Sequence, residues 1–322
     1  MIFKGGKYAS TGKENKMNKI SRLFSDKCYR TGVMSSLGFR CGWLSDEEFT
    51  RRIWKLRFGS EINLQNPVTY NEKIQWLKLF FHNPDYVRLV DKYEVKKIIA
   101  EKVGKEYVVP TYGVWEDFDD IDFDSLPDSF VLKCTHDSGG VAVIRDKKNM
   151  DIAAVRKKIK KCLKTNFYWH GREWQYKNIK PRVMAEKYLE DQSTPGAQMI
   201  DYKFFCFDGE PGFLYVSQGF ENPHSARVSF LTLDWQKADF QRTDYKKFDK
   251  IPPAPSGLEE MKYVSRELSR GIPFVRVDLY QVNGQVLFSE LTFTPCGGYM
   301  TFDNPTSDLM LGNMINLPEK MP

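Results

Sequence analysis

Two carboxylates, Asp278 and Glu290, stand on the two arms of PFVRVDLYQVNGQVLFSELTF, whose alternating apolar residues and central Asn283-Gly284 mark a β-hairpin. Register decides whether they meet. A two-residue loop pairs Val282 with Gln285, so that Asp278 faces Ser289 and Glu290 points to the other side of the sheet. A three-residue loop with a glycine bulge instead sends Arg276, Asp278, Glu290 and Thr292 out of one face. Only that second register builds a shared site. Two like charges on one rigid face cost stability, but they suit the holding of Mg²⁺ against a nucleotide triphosphate, because magnesium takes hard oxygen ligands and few of them from protein. Arg276 beside them can grip a carboxylate or an acyl phosphate through two parallel N–H bonds.

A second candidate is Phe130 to Ile144, an apolar strand, a polar turn ending in Gly139-Gly140, then another apolar strand. Glycine lets a backbone approach a phosphate closely and adopt unusual dihedrals, so such a tip can lay N–H groups over phosphate oxygens with Lys133 as a point charge nearby. An ordinary surface hairpin has the same pattern, and the Gly-Lys-Ser/Thr of the Walker loop is absent. His136, Asp137 and Ser138 are three catalytic residue types in a row, yet neighbours on one turn do not converge on one substrate atom as a triad must. The six cysteines form no CxxC pair and the four histidines no HxxxH, so neither a structural zinc site nor a disulfide framework is expected.

Elements that would position these residues are legible around them. Ser45 with Glu48 and Thr69 with Glu72 match the capping box and predict helix starts. Ile74, Leu77 and Phe81, then Val95, Ile98 and Ile99 before Gly104, follow helical spacing. From Tyr107 the pattern turns to short β-rich runs. Between Asp151 and Lys164 the stripe Val155, Ile159, Cys162 and Leu163 predicts a helix with a basic outer face. The second half is strand-rich, with a further hairpin at Asp208-Gly209, and the whole reads as α+β layers.

At 322 residues, with 41% hydrophobic and 28% charged residues, the composition is that of a globular chain of about two domains, and it excludes disorder, collagen and a membrane bundle. No apolar run is long enough for a bilayer span and the N-terminus lacks a signal-peptide core, so a cytoplasmic location is expected. Lys+Arg of 48 against Asp+Glu of 42 gives a net charge of +6, which favours anionic partners; no nucleic-acid-binding signature is present and none is expected. The excess sits at one end: Lys4, Lys7, Lys13, Lys16, Lys19, Arg22, Lys27, Arg30 and Arg40 face only Glu14 and Asp26. This arm reads either as a solvated terminus or as a peripheral contact with anionic lipid or a lipid-linked substrate.

Lys133 before a glycine tip, Glu186-Lys-Tyr-Leu189, Asp201-Tyr-Lys203, Arg276-x-Asp278 and Glu290-x-Thr292 together resemble the ATP-grasp fold. Within it, NPVTYNEKIQWLK, LVDKYEVK, VVPTYGVW and SELTFTPCGG are similar to the TupA-like group associated with teichuronopeptide and surface-polysaccharide biosynthesis. The resemblance implies an α+β ATP-grasp fold behind a helical N-terminal region: a basic segment 1–60, a helical region 61–125, a lid subdomain 126–192 and a core subdomain 193–322. It also implies ATP and Mg²⁺ as cofactors. Lys133 and Lys203 would contact the phosphates and Ser138, Gly139 and Gly140 close over them. Glu186, Lys187, Tyr188 and Leu189 would line the adenine hinge, with Glu190 or Asp191 at the ribose. Asp278, Glu290 and Thr292 would hold the metal, and Arg276 would steady an acyl phosphate. Thr292 stands where most of the superfamily has Asn.

The activity so implied is a carboxylate–amine ligase joining a uronic-acid or similar sugar carboxylate to an amino acid or amine. A nucleotide-sugar-dependent glycosyltransferase of capsule or lipopolysaccharide biosynthesis is the alternative. Asp120-Ile-Asp122 and Asp122-Phe-Asp124 would then bind metal and diphosphate, although such pairs also arise in a solvated acidic loop.

Overall fold

The computed structural model describes residues 16–192, 198–220 and 225–321; Lys4, Lys7, Lys13 and Glu14 of the basic arm lie outside them. Six helices come first: α1 (Lys16–Ser25), α2 (Lys27–Ser36), α3 (Asp46–Phe58), α4 (Tyr70–Phe80), α5 (Asp85–Val90) and α6 (Glu94–Lys102). Helix α4 starts at the predicted capping box, with the Thr69 hydroxyl accepting from the Glu72 amide and the Glu72 carboxylate accepting from the Thr69 amide. At α3 only half the box forms: Ser45 caps the Glu48 amide, while the Glu48 side chain turns to Arg52 at 2.7 Å. Asp91 caps the chain into α6 by accepting from the Tyr93 and Glu94 amides.

Two antiparallel sheets follow. The smaller has the order β1 (Thr111–Trp115), β4 (Val183–Lys187), β2 (Phe130–Cys134), β3 (Val141–Ile144). Helix α7 (Ile152–Leu163) covers it, burying Ile159 against Phe130, Leu132 and Cys134. Part of its basic face meets the acidic loop: Arg156 pairs with Asp119 at 2.6 Å and Lys160 with Asp117 at 3.0 Å. A short helix, α8 (Tyr168–Gly171), leads back to β4.

The larger sheet has the order β7 (Arg227–Thr232), β6 (Glu210–Gln218), β5 (Asp201–Phe207), β8 (Phe274–Val282), β9 (Gln285–Thr292), with α9 (Leu258–Ser269) before β8 and α10 (Ser307–Gly312) after β9. One face carries Phe204, Cys206, Val275, Val277 and Leu279 into an apolar core with α9. The other begins as an aromatic layer, Phe205, Phe207, Phe230 and Phe274, closed by Tyr70 and Ile74 of α4. Burying aromatics on both sides fixes the strands rigidly. Among the described residues no helix is long and apolar enough to cross a membrane.

Candidate active site

Along β5 and β8 the aromatic face turns charged. Phe207 pairs with Phe274, Phe205 with Arg276 and Lys203 with Asp278, so three successive same-side pairs carry the sheet from core to site. Strand β9 adds Thr292 opposite Arg276 and Glu290 opposite Asp278. This settles the register in a way neither expectation had it. The loop has two residues, with Asn283 and Gly284 both at positive φ (52° and 81°) and Val282 paired with Gln285. The turn that was expected to separate the carboxylates is therefore the one present. They meet because the register shifts between Asp278 and Leu279: Phe288 faces Leu279, Glu290 faces Asp278, and Ser289 is the extra residue. The three-residue loop is corrected to a two-residue turn with a bulge inside β9.

Arg276 lies between the carboxylates. Its Nε donates to Asp278 Oδ1 and an Nη to Oδ2, both at 2.6 Å, and the same fork reaches Thr292 Oγ1 at 3.0 Å and Glu290 Oε1 at 3.4 Å. Its other Nη donates to the Tyr215 hydroxyl at 3.2 Å. Lys203 Nζ sits 2.5 Å from Asp278 Oδ2 and 3.6 Å from Asp201. Asp278 is fully buried, whereas the Glu290 side chain is 40% exposed and opens the cluster to solvent. Burial disfavours ionising Glu290, yet Lys203 and Arg276 outweigh it and hold the carboxyl down to about 2. Burial likewise opposes the charge on Lys203, but Asp201 and Asp278 win and keep it protonated.

The remaining predicted residues assemble on the smaller sheet. Glu186 of β4 faces Thr111 on one side and Val131 on the other. Its carboxylate takes Lys133 and Lys96, each at 2.5 Å. Lys96 also donates to Val109 O and Thr111 Oγ1 at 2.7 Å. Against the penalty of burial, these two lysines hold Glu186 below its ordinary range. Lys187 is exposed and bonds through its amide to Pro110 O. Tyr188 accepts from Arg145 at 3.2 Å, and Leu189 packs with Val109, Val282 and Leu287. The segment then reaches the larger sheet, where the Gln192 amide donates to Asn283 Oδ1 at 2.8 Å. Asp191 lies there, its charge adding to burial in pushing Tyr202 up to about 12.

At the tip, Gly139 takes φ 127°, a conformation that only glycine adopts freely, with Ser138 partly exposed beside it. Lys92 Nζ donates to the Asp137 carbonyl at the base of this turn, and its charge is also felt by Glu290. Lys92 and Lys96 were assigned no role from sequence, although both lie in LVDKYEVK. Their signal was the Asp91 cap: it fixes the start of α6 and aims the two lysines, one turn apart, at the tip and at Glu186.

The donor set fits Mg²⁺ and a triphosphate. Asp201, Asp278 and Glu290 outnumber Lys203 and Arg276 by one charge, their donor atoms are hard oxygens, and Glu290 is reachable from solvent. Lys133, Lys92 and Lys96 would supply cations to a triphosphate held there. The rival acidic pairs do not gather into a site: Asp122 and Asp124 are exposed, and the Asp122 carboxylate is spent on the Asp124 amide at 3.1 Å.

Solved structures similar to this chain include D-alanine–D-alanine ligase from Helicobacter pylori (14% identity, TM-score 0.43, covering 75% of this chain and 62% of that one). The ATP complex of the Bacillus anthracis D-alanine–D-alanine ligase is also similar (14%, TM-score 0.38, 94% and 81%), as is the ATP-grasp ligase PsnB with its precursor peptide PsnA2 and AMPPNP (8%, TM-score 0.36, 69% and 56%). This chain thus spans about 62% of the length of the H. pylori enzyme. No curated protein sequence matches it. The family model for TupA-like ATP-grasp matches residues 72–316, three quarters of the sequence and every residue of both clusters, and the chain belongs to the TupA-like ATP-grasp family.

Proposed function

We propose that the protein is an ATP-dependent carboxylate–amine ligase of surface-polysaccharide assembly, taking a sugar carboxylate of the uronic-acid class and an amine. The carrying observation is the bulged register that sets Glu290 opposite Asp278 with Arg276 and Lys203 between and beside them. A substrate carboxylate oxygen attacks the γ-phosphorus of ATP and ADP leaves; the amine then attacks the acyl carbon, phosphate departs and the nitrogen loses a proton. No protein nucleophile is needed. Lys133 and Lys203 supply fixed positive charge where phosphate charge develops, and the tip Ser138 to Gly140 covers it with backbone N–H groups. Arg276, aligned by Asp278, would turn the Nη hydrogens now on Thr292 and Tyr215 to the acyl phosphate. Asp278, Glu290 and Thr292 would hold Mg²⁺, which when bound neutralises phosphate charge and orients the γ-phosphate. Glu186 to Leu189 with Asp191 forms the nucleotide hinge, between a lid at 126–192 and a core at 193–322. The basic N-terminal arm keeps its two readings, a solvated terminus or a peripheral contact with anionic lipid or a lipid-linked substrate.

Hydroxylamine trapping tests this reading. With MgATP and a uronic acid or its nucleotide conjugate, the ligase yields a hydroxamate and stoichiometric ADP; with no hydroxamate and no carboxylate-stimulated ADP across such acids, the proposal fails.

A further inference from the structure

We propose that Cys134, Asp137 and Cys162 form a binding site for a divalent transition-metal ion of the zinc type at the root of the glycine tip. The three come from different places: Cys134 ends β2, Asp137 lies in the turn and Cys162 sits in the last turn of α7. Their two sulfurs and a carboxylate oxygen all lie within 4.8 Å of one another. Sequence spacing hides this, because the third residue arrives only when α7 folds back over the sheet.

Asp137 is the group that calls for a cation. It is 4% exposed, and its carboxylate accepts from the Gly140 amide at 3.3 Å and from the Cys162 thiol. Among the described residues no ion pair joins a lysine, arginine or histidine to that carboxylate; Lys92 Nζ comes close but donates to the Asp137 backbone carbonyl. A buried carboxylate so weakly partnered is costly, and a metal ion removes that cost.

Gly140 supports the same assignment. A Cβ there would lie 2.4 Å from Cys162 Sγ and 2.9 Å from both Asp137 Oδ2 and Cys134 Cβ, so glycine leaves open the space on which the three side chains converge. Buried His136 holds the end of α7 from the other side, its Nε2 lying 3.2 Å from the carbonyls of both Cys162 and Thr165. Thiolates select zinc-type ions over Mg²⁺, and three protein ligands leave one tetrahedral position. The site's three ligands are distinct from Asp278, Glu290 and Thr292. Its effect is to tie β2, the tip and α7 together.

The full chain, stripped by chelator under reductant and titrated with Co²⁺, tests this. Expected are one equivalent bound, a thiolate-to-cobalt charge-transfer absorption, displacement by Zn²⁺, loss of the absorption in Cys162→Ser and its retention in Cys296→Ser. Should Cys162→Ser not fold, Zn²⁺ protection of two wild-type thiols from a thiol reagent, located by peptide mapping at Cys134 and Cys162, replaces it. No charge-transfer absorption, or a Cys134–Cys162 disulfide formed in place of metal binding, overturns the proposal.

Discussion

Asp278 and Glu290 face each other across β8 and β9 because Ser289 is bulged out of β9 beside them. The two-residue turn with a regular ladder through Ser289 would send Glu290 to the opposite face, so the bulge, not the turn, brings the carboxylates together. Deleting Ser289 should straighten the strand while leaving Glu290 opposite Asp278. The deletion is therefore expected to lower kcat by less than about tenfold, against about 100-fold or more for Glu290→Gln, which would remove charge where the proposed reaction places the phosphate. Coupled ADP release measures both, and equal losses would show that the register is not what builds the site.

Acid stability probes the same carboxylate. Its carboxyl is depressed from an ordinary 4.5 to about 2, so the native state binds the proton less readily than the unfolded chain. The stabilisation is therefore present above pH 4.5 and lost as pH falls from there towards 2. With Glu290 partly open to water, the contribution is about 1 kcal/mol after screening. Urea unfolding at pH 6 and pH 3 should show wild type losing more stability on acidification than Glu290→Gln, and an identical loss in both would remove Glu290 from the ion-pair cluster.

Much of this was legible because local chemistry and tertiary structure agree. Thr69 and Glu72 announce a capping box that forms, Asp208-Gly209 and Asn283-Gly284 announce two-residue turns that form, and the α7 stripe announces a helix that buries Ile159. Sequence falls short where a feature depends on an irregularity or on distant chain. The Ser289 bulge has no glycine to mark it, and its neighbours alternate acceptably in either register. Lys96 reveals its role only when α6 lies beside β1 and β4 and delivers it to Glu186. The same limit hides Cys162, which approaches Cys134 only through a helix packing on a sheet.

Under the proposed function Lys133 would report nucleotide binding, since it is partly exposed and pairs with Glu186 instead of packing into the core. A ligand at about 100 times its Kd adds about 2.7 kcal/mol of stability. Wild type should gain a clear rise in Tm with MgATP, while Lys133→Ala should keep its ligand-free Tm within a few degrees and lose most of the rise. Lys92→Met should also weaken the response, because its cation sits at the base of the tip. A full MgATP shift in Lys133→Ala would place the triphosphate elsewhere.

Gly140→Ala tests the packing beneath the tip. The new methyl would fall 2.4 Å from Cys162 Sγ, with Asp137 and Cys134 leaving no room on its other sides. Overpacking of this kind costs about 1–3 kcal/mol. The backbone does not forbid alanine, for Gly140 is not among the positive-φ residues, so the cost is steric and local. Trimming the obstructing sulfur should relieve it: Gly140→Ala with Cys162→Ala is expected to be more stable than the sum of the single changes, by about 1 kcal/mol in a double-mutant cycle. Strict additivity in denaturant unfolding would show that Cys162 does not contact the tip, and the convergence of thiols and carboxylate at this point would go with it.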